Sequence, residues 1–167
     1  MSDFNNSMKV LNLGILGLSI YTAVETVDDM KISEITPGNK TVTISKTFIM
    51  GACISLAVLS AINFALLHYV YDYTTGSNIT YKIFGLVTTA AIVLLGGFLL
   101  AQFLEINHLK GTDPSIYTDE KIGDTITTVG LVLGGLSIGT GFFMIMQILL
   151  VWGASVSKPM KKKIRKK

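Results

Sequence analysis

The chain reads as an all-α membrane protein, a four-helix transmembrane bundle with short loops. Three observations lead there. Half of the 167 residues are hydrophobic and only 15% are charged, with a mean hydropathy of +0.56, far from the make-up of ordinary soluble domains. The apolar residues fall in four long blocks, at residues 10–27, 47–71, 83–106 and 126–156, where a lipid-facing barrel would need many short alternating runs. The last block holds no Asp, Glu, Lys or Arg and runs into SKPMKKKIRKK, residues 157–167, of which seven are basic and none acidic.

That last block anchors the rest. A bilayer core of ~30 Å needs about 20 apolar residues of helix, so residues 126–156 have length to spare for tilt. The tail cannot follow, because each Lys or Arg at mid-membrane depth costs roughly 2.5 to 3.5 kcal/mol. The whole chain, residues 1–167, is expected to be one membrane domain.

Residues 1–8 are short and polar, and Lys9 opens the weakest block, residues 10–27, which contains Asn12, Ser19, Thr22 and Glu25. A lysine before an apolar run also describes a signal peptide, yet YTAVETV offers no small-x-small cleavage site. Asn12, Ser19, Thr22 and Thr26 fall close to one helical stripe, so this polar line is expected to face neighbouring helices and the Leu and Ile residues to face lipid. In the following loop, Pro37-Gly38-Asn39 between KISEIT and KTVTIS favours a type II turn and a small β-hairpin.

The second block, residues 47–71, repeats small residues every fourth position, as Gly51/Ser55 and Ala57/Ala61/Ala65. Such spacing lets helix backbones approach closely where lipid supplies no hydrophobic drive. After a short connection through Gly76 and Ser77, the third block carries Gly97/Ala101 and the fourth carries Gly130/Gly134 and Gly135/Gly139, two offset GxxxG pairs. Asn12, Asn63, Gln102 and Gln147 are the amides within the blocks. Each is expected to act as interhelical glue at roughly 0.6 to 2 kcal/mol.

Four spans put both termini on one side. Lys9, Lys82 and the basic residues of the tail then share that side, whereas Lys31, Lys40, Lys46, Lys110 and Lys121 lie opposite. Of the acidic residues only Asp3 and Asp72 join the termini, which leaves the two faces near +7 and −4. By the positive-inside rule the termini are cytoplasmic or on an equivalent inner side. Tyr69, Tyr71, Tyr73, Tyr81 and Trp152 all fall at that same boundary, as interfacial aromatics do.

Little in the chain suggests catalysis. No HExxH, CxxC, GxSxG or P-loop pattern occurs, and the two histidines, His68 and His108, belong to opposite faces. The lone Cys53 sits inside the second block, so no intrachain disulfide forms. No enzyme, cofactor or metal site is expected. Asn5, Asn39 and Asn78 each begin an N-x-S/T triplet, but only Asn39 lies on the outer side.

The tail residues Lys158, Lys161, Lys162, Lys163, Arg165, Lys166 and Lys167 anchor the topology. They also suit anionic headgroups, at ~1 kcal/mol per residue, or non-specific binding of nucleic acid. In size, span number, Asn- and Thr-rich loops and basic end, the chain resembles the small multi-span proteins in the internal membranes of large icosahedral DNA viruses, which tie the bilayer to the capsid lattice. No sequence motif carries the resemblance. It implies a structural role, a virion internal membrane as the location, protein partners at the outer loops and tail, and room for an oligomer. The competing expectation is a small channel or transporter using Asn63, Gln102 and Gln147 as a polar path.

The orientation has a direct check in sealed membranes, using single cysteines in a Cys53→Ser background. An impermeant maleimide applied from outside should label Asn39→Cys at once, and Lys163→Cys only after permeabilisation. Labelling of both from one side would discard the four-span arrangement.

Overall fold

The computed structural model describes residues 2–31, 34–35, 44–70, 78–110 and 120–156. Four helices account for nearly all of them: α1 (Ser2–Asp29), α2 (Lys46–Tyr69), α3 (Ile79–Lys110) and α4 (Glu120–Val156). Each contains an apolar stretch long enough to cross a membrane. They pack in cyclic order, α1 against α2 and α4, α3 against α2 and α4, with α1·α2 and α3·α4 the most extensive pairs. Successive helices run in opposite directions, so one end of the bundle, here the terminal end, holds the start of α1 and the end of α4.

The helices outrun the apolar blocks that announce them. α1 begins at Ser2 and takes in the polar segment before Lys9, α3 reaches Lys110 and α4 starts at Glu120. Polar residues at helix ends meet water without cost, so hydropathy marks the part of a helix that needs lipid or core and not its full length.

Local contacts fix the ends. Asn78 accepts a hydrogen bond from the Thr80 backbone N–H at 3.0 Å, capping the first turn of α3. Glu120 places negative charge in the first turn of α4, where the helix dipole favours it. α1 ends on Asp28 and Asp29 with no basic residue in its last turn, an unfavourable pairing with the dipole. Lys46, at the start of α2, offsets this by donating to the carbonyls of Val27 at 2.6 Å and Met30 at 2.9 Å. The same ammonium therefore ties two consecutive helices together at the far end.

There, Glu34–Ile35 pairs antiparallel with Ile44–Ser45 in the register Glu34↔Ser45 and Ile35↔Ile44. The expected turn at Pro37-Gly38-Asn39 lies outside the described residues. Ile44 is buried and joins Met30, Ile106 and Ile126 in the main apolar cluster, so this pairing packs on the end of the bundle.

The tightest helix contact is α3 against α4. A Cβ on Gly134 would stand 2.8 Å from the Leu100 Cβ, 2.9 Å from the Gly96 carbonyl oxygen and 2.9 Å from the Leu100 nitrogen. A Cβ on Gly96 would stand 2.6 Å from Ser137 Cβ and 3.1 Å from the Gly134 carbonyl oxygen. Gly130 lies under the ring of Phe103 and Gly141 against Val93. Gly96, Gly130, Gly134 and Gly141 thus let two backbones touch.

The remaining small residues sit differently. Gly51, Gly97, Gly135 and Gly139 have open space where a Cβ would be, Ser55 and Ala101 are exposed, and Ala57, Ala61 and Ala65 are half-buried. None of Gly51, Gly97, Gly135 and Gly139 makes a close helix approach among the described residues. The reason is phase: the buried face of α3 runs Thr89, Ile92, Gly96, Leu99, Phe103, and Gly97 is rotated about 100° off it. Gly135 and Gly139 are out of phase with Gly130, Gly134, Ser137 and Gly141 in the same way.

Neighbouring glycines should therefore respond oppositely. Gly134→Ala, whose methyl meets backbone, should lower stability by about 1 to 3 kcal/mol. Gly135→Ala should stay within about 0.5 kcal/mol of the parent. Reversible unfolding in mixed micelles reads both, and equal costs would reject the α3·α4 packing.

Candidate functional site

The buried face of α1 consists of Met8, Asn12, Ile15, Ser19, Thr22 and Thr26, alternating four and three residues apart, and Met30, just past the helix end, continues it. Four of these seven are polar, while Val10, Leu13, Ile20, Val24 and Val27 are exposed. The helix is more polar inside than outside. Buried polar residues on the other helices include Ser60 and Asn63 on α2, Lys82, Thr88, Thr89 and Gln102 on α3, and Thr127, Ser137 and Thr140 on α4.

Some of these side chains meet across the bundle. The Thr88 hydroxyl on α3 donates to Asn63 Oδ1 on α2 at 3.1 Å. It also lies 3.0 Å from the Phe84 carbonyl of its own helix, so one proton is shared between a bond across helices and one within. Asn12 Nδ2 on α1 donates to the Met8 carbonyl at 2.8 Å and faces Met144 Sδ on α4 at 3.8 Å. Asn12, Asn63, Thr88 and Met144 come from all four helices.

Apolar residues close the core on both sides of this level. Towards the termini, Met8, Leu67 and Met144 cluster with Phe4, Leu11, Leu66 and Val70. Towards the far end lies the larger cluster of Ile15, Leu56, Ile92, Leu99, Phe103 and Leu133. Asn12 sits one turn from Met8 in one cluster and one turn from Ile15 in the other, and Asn63 is similarly placed between Leu67 and Leu59. The core is thus two apolar parts separated by a polar belt.

The expected amides do not converge. Gln102 is buried on α3, but fourteen positions from Thr88, about 21 Å along the axis. Gln147 is half-buried on α4 near the termini. Side chains of Cys53, Leu56, Ile92, Leu99 and Leu133, all fully buried or nearly so, occupy the core between Asn63 and Gln102. The tail residues from Lys158 to Lys167 lie outside the described residues.

Residues that the hydropathy reading did not single out, Thr88 and Thr140, belong to the belt. Their signal was available, since both fall in phase with the buried stripe of their helix. Among the described residues no three or more His, Cys, Asp or Glu side chains come together to hold a metal. His68 is exposed and stacks on Phe64 with ring centroids 5.9 Å apart, and Tyr69 meets it edge-on at 4.7 Å. The surface carries an apolar groove of about 450 Å³ between α1 and α2, lined by Ile20, Ala23, Val24, Met50, Ile54 and Val58.

No protein-family model, no curated protein and no solved structure significantly matches the chain.

A double-mutant cycle measures the belt's strongest cross-helix bond. Asn63→Leu, Thr88→Val and the double variant should give a coupling energy of about 0.6 kcal/mol and no more than about 1.7, because the Thr88 proton is shared. A coupling of zero in unfolding titrations would remove that bond from the account.

Proposed function

We propose that the chain is a structural integral membrane protein, a four-span bundle that holds the bilayer while its wet ends engage other proteins of an assembly. The observation that carries this reading is the apolar outer surface of the bundle. Val10, Phe48, Val58, Val87, Leu94, Phe142, Phe143 and Leu150 are all more than half exposed, and they come from all four helices. Water would penalise such a surface by roughly 25 cal/mol per Å² of apolar area, and lipid would not. The interior supports the same reading. It is filled by Ile15, Leu56, Leu99, Phe103, Ile106 and Leu133, which close the axis on the far side of the belt.

In this reading the termini lie on the inner side, the side that the Lys and Arg distribution favours. The acidic outer loops and the tail from Lys158 to Lys167 then meet different partners: protein on one face, and protein or anionic headgroups on the other. Tethering a bilayer to a shell, as in the virion proteins that the chain resembles in general character, is one form of that role.

The second reading, a small channel or transporter, draws on one observation. Gln102 Oε1 and the hydroxyls of Ser19, Thr22 and Thr26 are buried without hydrogen-bond partners among the described residues, so polar atoms continue along the axis beyond the belt. Flux separates the two. Full-length protein in liposomes should pass K⁺, Cl⁻ and small solutes no faster than empty vesicles, and lysine-directed cross-linking in native membranes should join the tail to a neighbouring chain. Flux that falls when Asn63 or Gln102 is replaced by Leu would establish the channel instead.

A further inference from the structure

The belt contains oxygen atoms that its own side chains do not satisfy. Asn12 Oδ1, Ser60 Oγ, Thr89 Oγ1 and Thr140 Oγ1 are buried, one on each helix, and none has a hydrogen-bond partner among the described residues. They occupy similar depth. Asn12 reaches Met144, one turn from Thr140 on α4, while Gly141 packs on the Thr89 carbonyl oxygen. Thr89 follows Thr88, which bonds to Asn63, and Asn63 is one turn from Ser60. The four oxygens therefore lie within about two helical turns, roughly 11 Å of depth.

Helical Ser and Thr ordinarily satisfy themselves on the carbonyl four residues back. Thr127 does so at 2.8 Å and Ser137 at 2.7 Å, but Ser60, Thr89 and Thr140 do not. Asn12 Oδ1 has no such escape, because an amide oxygen only accepts and its own Nδ2 is already directed at Met8 and Met144. An unsatisfied polar atom in a dry core costs about 1 to 3 kcal/mol. The guest must donate to Asn12 and accept from hydroxyls.

We propose that the belt is a hydration site, holding one or a few ordered water molecules between Asn12, Ser60, Thr89 and Thr140. Water has both donor and acceptor capacity and needs only two to four polar partners. A bare cation fits worse. The nearest described carboxylates along α1, Asp3 and Glu25, stand nine and thirteen residues from Asn12, about 14 and 20 Å away, and a buried charge without a counter-charge is costly. The Met8–Leu67–Met144 cluster below and the Ile15–Leu56–Ile92 cluster above separate the site from both ends, so the water is trapped and forms no continuous file. The inference needs the bundle to sit in lipid but is independent of the structural role, since a hydrated belt serves a tether or a channel equally.

Water-edited solid-state NMR on the full chain in liposomes reads the site. Polarisation from water should reach the Asn12 side-chain amide and the Thr89 and Thr140 methyl groups at least about threefold faster than the methyl groups of Ile15 and Leu133, which line dry core. Thr140→Val, nearly equal in shape, should slow transfer to Thr89 about twofold or more, whereas Thr125→Val on the exposed face should leave it unchanged. Asn12, Thr89 and Thr140 signals as slow as those of Ile15 would overturn the proposal in favour of hydroxyls turned onto their own helix. Asn12 shifts that follow replacement of Na⁺ by a bulky organic cation would overturn it in favour of a bound metal ion. Ion flux in the same liposomes would end the structural role and leave the NMR result standing, so the two readings fail separately.

Discussion

Helices surrounded by lipid gain nothing from hiding apolar surface, because the solvent is as apolar as the core. Association must come from how closely backbones approach and from polar groups with nowhere else to bond. The α3·α4 seam shows the first of these. Gly96 and Gly134 each place a backbone carbonyl where the other's side chain would be, and Gly130 and Gly141 extend the close approach over roughly eleven residues, or about 16 Å. Dispersion grows with the number of atoms within contact distance, so missing side chains serve α3 and α4 better than large ones would. Phe103 then fills the space above Gly130.

The α1·α2 half is held by other means. α1 brings no glycine into close contact: Gly14 is ordinarily packed, at 3.8 Å from Leu136, and Gly17 is open. Its inward stripe is polar, and its far end is clasped by Lys46. One consequence is a division of labour within the bundle, with α3·α4 as a dry seam and α1 as the side that brings polar atoms to the axis. Low hydropathy in the first block, which makes it the weakest span by composition, arises from this inward stripe. Its outward residues are as apolar as those of the other helices.

Helix number and approximate position were legible because a span is a composition signal, integrated over some twenty residues and insensitive to detail. The inward line of Asn12, Ser19, Thr22 and Thr26 was legible because its spacing of three, four and seven admits one helical face. Glycine pairs were harder. A spacing of four says that two residues share a face but not which face, and Gly96/Gly97 and Gly134/Gly135 differ by one position with opposite surroundings. Only phase relative to the buried stripe, Ile92 to Leu99 to Phe103 on α3 and Leu133 to Ser137 to Met144 on α4, tells them apart. The amides posed a related problem. Asn63 and Gln102 look alike in a list of polar residues within spans, yet depth separates them by several turns. Helix ends lie beyond the apolar blocks for a third reason: individual hydrogen bonds fix them, one at Asn78 and two from Lys46, to which an averaged hydropathy is blind.

The balance between tether and conduit turns on what fills the axis. A passing ion sheds water and needs continuous replacement of its hydration by polar atoms or charge. Here Asn12, Asn63 and Thr88 offer polar atoms at one level, but the next turns towards the far end present Ile15, Leu56, Ile92, Leu99 and Leu133, each essentially without exposed surface. Opening a path would require moving several of these at once, and α3 cannot shift against α4 without losing the glycine seam. Neutral hydroxyls at Ser19 and Thr22 relieve only part of that barrier, since neither carries charge. A bundle with this interior is better suited to keeping its shape than to changing it.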